Sequence, residues 1–196
     1  MLDGGNMSGN KVKIMTRGAM LASVFGVLGL INIYTGSFFD IIFAYIMVLA
    51  IAYYTYLYDY KAGLSVVAVT FIILFLIGEL FFTFYATITL SLGLFYGYCL
   101  YHHKSKKFAK YGLMIVSAVK NFVIFYLLSG ILQIDFFKES LEIYREIINF
   151  LPLLKNFISP DITYFLLWLL MFICESYVVR SYFDIVLYKI KKTNRQ

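Results

Sequence analysis

Long apolar stretches separated by short polar breaks make up most of this chain. Runs of about 20 aliphatic and aromatic residues match the length at which an α-helix crosses a hydrocarbon layer of about 30 Å. The pattern predicts six such spans, at about residues 14–34, 38–57, 62–78, 80–101, 110–133 and 162–188. Barrel strands would alternate apolar and polar positions, and stretches such as residues 65–77 do not. We therefore expect an all-α integral membrane bundle.

A different pattern occupies residues 135–157, between the fifth and sixth predicted spans. Charged and apolar residues are interleaved there at the spacing of a helix with one polar and one apolar side. Such an amphipathic helix lies on the membrane or caps the bundle without crossing it. The pattern leaves open whether it is a lid over a cavity or a passive surface helix.

The composition makes lipid the main solvent of the chain. Of its 196 residues, 62% are hydrophobic and 14% charged, and the mean hydropathy is +0.81. A soluble domain would need far more polar surface. We treat residues 1–196 as one transmembrane domain with short tails at 1–13 and 189–196.

The distribution of lysine and arginine predicts the orientation. Basic residues cluster before the first span, in the second and fourth connections and after the sixth span, whereas acids outnumber bases in residues 135–161. The positive-inside rule therefore predicts a multi-pass protein of the cytoplasmic membrane, with both termini cytoplasmic and the amphipathic helix extracellular. The net charge of +6 then reflects topology and gives no case for a nucleic-acid partner.

Ionisable residues inside the spans are the first candidates for a site. Lys120 and Asn121 lie deep in the fifth span and Glu175 deep in the sixth. A salt bridge between Lys120 and Glu175 would resolve the burial of both charges, and it is either structural or part of a ligand site. Arg180 and Asp184, four residues apart near the end of the sixth span, are expected to form a local, partly solvated pair.

Two polar residues at the ends of spans are further ligand-binding candidates. Glu79 marks the break between the third and fourth spans, and Asn32 lies near the outer end of the first. Both could line an outward-facing site, although a short interfacial turn is the simpler interpretation.

The first span carries a stripe of small residues. Gly18, Ala22 and Gly26 recur at intervals of four, with Ala19 and Ser23 beside them. Such a face lets another helix approach closely in lipid. It predicts either a docking face for a partner subunit or ordinary packing within the bundle.

Motifs for catalysis, cofactors or metals are missing from the sequence. Adjacent His102 and His103 cannot share one helix face, so no metal site is expected there. No P-loop, dinucleotide fingerprint or Gly-x-Ser-x-Gly motif occurs. We expect no cofactor and no enzymatic activity.

Two segments carry a resemblance to a transporter family. The sequence TRGAMLAS at 16–23 follows a short basic N-terminus, and GLFYGY at 93–98 precedes a basic loop. Together with six spans in under 200 residues, these features resemble the membrane S component of energy-coupling factor (ECF) transporters, with the YybS-like membrane proteins closest. The resemblance implies a subunit that binds a vitamin or other small molecule from outside and works with a transmembrane T component and cytoplasmic ATPases. It also implies that the first helix meets the T component through Gly18, Ala22 and Gly26.

A non-catalytic scaffold of the cell envelope, with an architecture like that of the rod-shape protein MreD, is the alternative. A transporter should have an outward-facing cavity lined from the fourth to sixth spans, including Lys120 or Glu175. A scaffold should have a filled interior and a lipid-facing contact stripe. A third hypothesis is an ion or proton pathway through the same two residues.

Overall fold

The computed structural model describes residues 4–78, 80–132, 135–150 and 159–193, and within these ranges the chain forms seven α-helices and no strand. The helices are α1 (Gly4–Tyr34), α2 (Asp40–Tyr58), α3 (Tyr60–Ile77), α4 (Leu80–Tyr101), α5 (Lys106–Leu132), α6 (Phe136–Phe150) and α7 (Pro160–Thr193). Six of these described helices, all except α6, are long and apolar enough to cross a membrane. The predicted all-α bundle with six spans is confirmed.

The helix ends differ from the predicted spans mainly where the chain is basic. Helix α1 begins at Gly4 and α7 continues to Thr193, so the described parts of the predicted tails, 4–13 and 189–193, are helical. Hydropathy locates the part of a helix that lies in lipid. The helix itself extends further because lysine and other polar residues tolerate helical geometry in water.

Helix α6 is the amphipathic helix that the sequence predicts, although the predicted residues 151–157 lie outside the described chain. Asp135 caps its start, since the Asp135 Oδ1 accepts a hydrogen bond from the Lys138 N–H at 3.1 Å. Helix α6 packs against α7 and α5.

Helices α2 and α4 approach each other most closely. A Cβ atom added at Gly93 would lie 2.4 Å from the Val48 carbonyl oxygen, and one at Gly97 would lie 2.6 Å from that of Ala52. Burial of apolar surface gives no advantage over contact with lipid tails, so close packing has to supply the attraction between these helices. The two glycines make that approach sterically possible.

Helix α1 and helix α3 complete the packed half of the bundle. Large, fully buried apolar side chains fill the interior, seven from α1 to α4 and one each from α5 and α7: Phe25, Met47, Ile51, Leu74, Phe82, Leu90, Leu92, Leu113 and Phe183. A left-handed backbone at Gly78 (φ +96°) ends α3. Residues 35–39 connect α1 to α2, and Asp59 alone separates α2 from α3.

Helix α7 is much less enclosed than the others. Only 11% of its apolar span is buried, against 50% of the span of α4. Its buried face contains Ser176, Val179 and Phe183, with the nearly buried carboxylate of Glu175 beside them. Specific contacts along this narrow face, rather than extensive packing, attach α7 to the bundle.

Replacing Gly97 by alanine should force α2 and α4 apart, because the new Cβ atom meets the Ala52 carbonyl oxygen, which is backbone that cannot move independently. We expect a loss of about 1 to 3 kcal/mol or more, as is usual for overpacking, measured as a lower midpoint of thermal unfolding in detergent. The matched control is Gly130→Ala in α5, where a Cβ atom meets nothing within 4 Å. It should be neutral or slightly stabilising, and equal stability of both variants would contradict the close approach.

Candidate functional site

A buried polar cluster lies where α2, α5 and α7 meet. It consists of Tyr45 from α2, of Ser117, Lys120 and Asn121 from α5, and of Glu175 from α7. The side chains of Lys120 and Glu175 are 2% and 7% exposed. We call these five residues the Glu175 cluster.

Both oxygens of the Glu175 carboxylate are fully engaged. Its Oε1 accepts hydrogen bonds from the Lys120 ammonium group and the Tyr45 hydroxyl. Its Oε2 accepts one from the Ser117 hydroxyl and one from the Asn121 Nδ2 at 2.9 Å. Positions 117, 120 and 121 lie three and four apart on α5, and this spacing places all three side chains on one face.

These contacts offset the desolvation of the two buried charges. An isolated carboxylate or ammonium group in a low-dielectric interior is strongly unfavourable, and a partner with further hydrogen bonds offsets that cost. The predicted salt bridge between Lys120 and Glu175 is confirmed. Tyr45 and Ser117 are members that the sequence did not indicate, because a lone tyrosine or serine in a span carries no distinguishing signal.

The remaining ligand-binding candidates lie elsewhere. Asn32 is fully buried at the end of α1, and its Nδ2 donates to the Asp40 Oδ1 at the start of α2. The Asn32 backbone carbonyl also accepts the Ser37 N–H at 2.9 Å, so Asn32 braces the connection between α1 and α2. Glu79 lies outside the described residues. The structure thus brings together Lys120, Asn121 and Glu175 and separates Asn32 from them.

The small-residue stripe of α1 divides into two faces. Ala22 is fully buried, and Cβ atoms added at Gly18 and Gly26 would lie 2.8 Å from the Tyr54 hydroxyl and 2.6 Å from the Ile73 Cγ2. These three positions pack against α2 and α3, which is the packing alternative that the sequence left open. Ala19 and Ser23 are exposed on the other side, where docking of a partner remains a prediction.

A cavity of about 390 Å³ lies between α6 and α7. We call it the α6–α7 cavity, and its lining residues are Leu141, Arg145, Asp161, Tyr164, Phe165 and Trp168. The Arg145 Nη2 and Nε donate to the Asp161 Oδ1 at 2.7 and 3.2 Å and so bridge the two helices. The sequence analysis did not predict this site. Two residues of its lining could have indicated it: Arg145, an arginine in an amphipathic helix, and Trp168, the single tryptophan of the chain.

The second half of α7 contains the expected local pair of Arg180 and Asp184. The Arg180 Nε lies 3.8 Å from the Asp184 Oδ2, and the Asp184 Oδ1 also accepts a hydrogen bond from the Tyr96 hydroxyl at 2.9 Å. That second contact ties α7 to α4 and was not predicted.

Comparison with known proteins agrees with this membrane architecture. The sequence profile of a family described as "Predicted membrane protein (DUF2232)" matches residues 23–152, about two thirds of the chain. The chain belongs to the DUF2232 family. Comparison with curated proteins and with solved structures gave no match.

The DUF2232 match covers the hydrogen-bond donors of the Glu175 cluster but not the carboxylate that accepts from them. It includes the hydrogen-bond donors Tyr45, Ser117, Lys120 and Asn121, whereas Glu175 and the rest of α7 lie beyond its end at residue 152. It also includes Arg145 of the α6–α7 cavity but not Trp168. Both sites therefore depend on α7, which lies outside the matched region.

In this DUF2232 protein, Lys120→Met should destabilise the bundle by about 3 to 5 kcal/mol, because it leaves a buried carboxylate without its counterion. The double variant Lys120→Met/Glu175→Gln removes both charges and should recover most of that loss. Thermal unfolding of purified protein in detergent measures each effect.

The exposed pair of Arg145 and Asp161 provides the control, with side chains 48% and 61% exposed. Arg145→Gln should cost only about 0 to 1 kcal/mol. A double variant at 120 and 175 that is no more stable than Lys120→Met would contradict the energetic coupling of the buried pair.

Proposed function

We propose that this DUF2232 protein is the substrate-binding membrane subunit of an importer of the energy-coupling factor type, without catalysis of its own. The observation that carries the proposal is the α6–α7 cavity. Its volume of about 390 Å³ falls within the usual range of small-molecule sites, about 300 to 1,000 Å³. It lies under the amphipathic helix, which the charge distribution assigns to the outside.

The lining of the cavity fits a small anion with a flat ring. The aromatic side chains of Tyr164, Phe165 and Trp168 give the cavity an apolar wall on α7 against which a flat ring can pack. The Arg145 guanidinium offers paired donors for a carboxylate or a phosphate. We propose a ligand of this class, which includes vitamins.

The bridge between Arg145 and Asp161 is suited to exchange with such a ligand. Both side chains are about half exposed, and ion pairs of that kind contribute little to stability. Breaking this pair to admit a ligand anion therefore costs little, and the Asp161 side chain is exposed enough to turn towards solvent, away from the anion. In this proposal α6 acts as the lid, and the exchange couples its position to ligand binding.

The Glu175 cluster has a supporting role in this proposal. Trp168 and Glu175 lie on α7 seven residues apart, which is about two helical turns. The cluster holds the middle of α7 in place while the outer part of the helix meets the ligand. Lys120, Asn121 and Glu175 are thus positioning residues here.

The proposed partners are a transmembrane T component and cytoplasmic ATPases. Gly18 and Gly26 are occupied by α2 and α3 and Ala22 is fully buried, so the exposed members of this stripe are Ala19 and Ser23. We propose this exposed side of α1 for contact with the T component.

A cell-envelope scaffold is the second candidate function. The observation that favours it is the filled interior at the Glu175 cluster, whose charged groups are enclosed by their own partners. The transporter hypothesis expected Lys120 or Glu175 to line the ligand cavity. Neither residue lines the α6–α7 cavity. Gentle extraction followed by native mass spectrometry separates the two functions, since an ATPase partner favours the importer and envelope-assembly proteins favour the scaffold.

Ligand binding should quench the intrinsic fluorescence of the single tryptophan, Trp168, because that ring lines the cavity. We expect saturable quenching by at least one member of a panel of anionic aromatic vitamins, titrated into protein in detergent. Arg145→Gln should weaken binding roughly tenfold or more, in keeping with loss of a charge-assisted contact. The control Lys138→Gln removes an exposed cation from the same helix outside the cavity and should bind normally.

Equal weakening by Arg145→Gln and Lys138→Gln would mean that only the general charge of α6 matters. Absence of quenching across the panel, together with an intact fold by circular dichroism, would argue for the scaffold.

The proposed orientation is testable with single cysteines. In a variant that lacks Cys99 and Cys174, Ser105→Cys should react with a membrane-impermeant maleimide only after the cells are opened. Glu142→Cys on α6 should react on intact cells. The reverse labelling would overturn the assignment of the basic end to the cytoplasm.

A further inference from the structure

Four basic side chains gather where the connection between α4 and α5 and the start of α5 meet α7 at Arg180. Lys104, Lys106 and Arg180 line a small cavity of about 80 Å³ that Tyr96 and Asp184 also line. Lys110, one helical turn beyond Lys106, lines a neighbouring groove together with Arg180. We call these four cations the basic end.

The groove beside the basic end is apolar along most of its length. It has a volume of about 290 Å³ and lies between α5 and α7. Met114, Ile173 and Tyr177 form its walls, and Tyr177 is 70% exposed, so the groove opens on the side of the helices that faces lipid. A chain of methylene groups is the natural occupant of such a surface.

Asp184 is the single acid among these lining residues, so most of the positive charge of the four cations is not neutralised. Asp184 accepts the Tyr96 hydroxyl at 2.9 Å, and its other oxygen lies 3.8 Å from the Arg180 Nε, beyond hydrogen-bond distance. The lysines lie beside the start of α5, whose first turn contains no acid. The helix dipole adds partial positive charge there. An anion would relieve this concentration of charge.

We infer that the basic end binds the headgroup phosphate of an anionic glycerophospholipid, whose acyl chain lies in the groove between α5 and α7. The cations and the apolar groove share Arg180, so one molecule with a charged head and a hydrocarbon tail satisfies both. Basic pockets between transmembrane helices are suited to such headgroups. The inference does not depend on the proposed transport function.

Native mass spectrometry of the full-length protein tests this inference with phosphatidylglycerol and phosphatidylcholine as probes. The wild type should retain phosphatidylglycerol in preference to phosphatidylcholine. Lys110→Gln/Arg180→Gln should lower that retention roughly tenfold or more. Lys13→Gln/Lys61→Gln is the matched control, because it removes two exposed cations that line neither the cavity nor the groove, and it should retain the lipid as the wild type does.

A second double variant keeps the test decisive if loss of Arg180 disturbs the fold. Lys106→Gln/Lys110→Gln changes two exposed side chains and should weaken phosphatidylglycerol retention in a protein of normal thermal stability. Equal losses in the basic-end and control variants would show general attraction to anionic lipid and would overturn a specific site.

The acyl chain is tested by filling the groove. Ile173→Trp should lower retention of phosphatidylglycerol without any change of charge. The control Leu169→Trp places the same ring at an exposed position of α7 outside the groove lining and should have no effect. Normal retention by Ile173→Trp, with displacement of the lipid by inorganic phosphate, would identify a free-phosphate site and overturn the lipid assignment.

Discussion

One buried carboxylate largely decides how α7 joins the other helices. Water drives apolar helices together in a soluble protein, but lipid tails solvate the apolar face of α7 as well as its neighbours would. Lipid tails cannot solvate the Glu175 carboxylate in the same way, because hydrocarbon offers it no hydrogen-bond donors. Its four donors on α2 and α5 therefore attach a helix of which only 11% of the span is buried.

The other half of the bundle is stabilised by a different means. Helices α2 and α4 approach over Gly93 and Gly97, and α1 meets α2 and α3 over Gly18 and Gly26. Small residues allow close backbone contact, and the attraction then comes from many short van der Waals contacts. The molecule thus combines a densely packed half with a single helix whose narrow buried face joins the polar contacts of Glu175 to a few apolar ones, such as those of Phe183.

Helix α7 passes through three different environments along its length. Trp168 lies near one end beside the cavity under α6, Glu175 lies in the middle in the polar cluster, and Arg180 lies at the basic end. Several hydrogen bonds hold the middle of α7 at Glu175, and the Arg145–Asp161 and Tyr96–Asp184 contacts tie it to α6 and α4 on either side. The proposed small-molecule site and the inferred lipid site lie on opposite sides of Glu175 along α7.

The sequence alone determined the six spans, the amphipathic helix and the pairing of Lys120 with Glu175. These follow from local physical costs: the length of apolar segments sets the spans, and two opposite charges within spans each need a partner. Only the tertiary structure decided that Tyr45 and Ser117 join the pair, that Asn32 binds Asp40, that Gly18, Ala22 and Gly26 face inward, and that α6 and α7 line an open cavity between them. Those features depend on which faces meet across the bundle, and hydropathy carries little information on that choice because lipid and protein interiors are equally apolar.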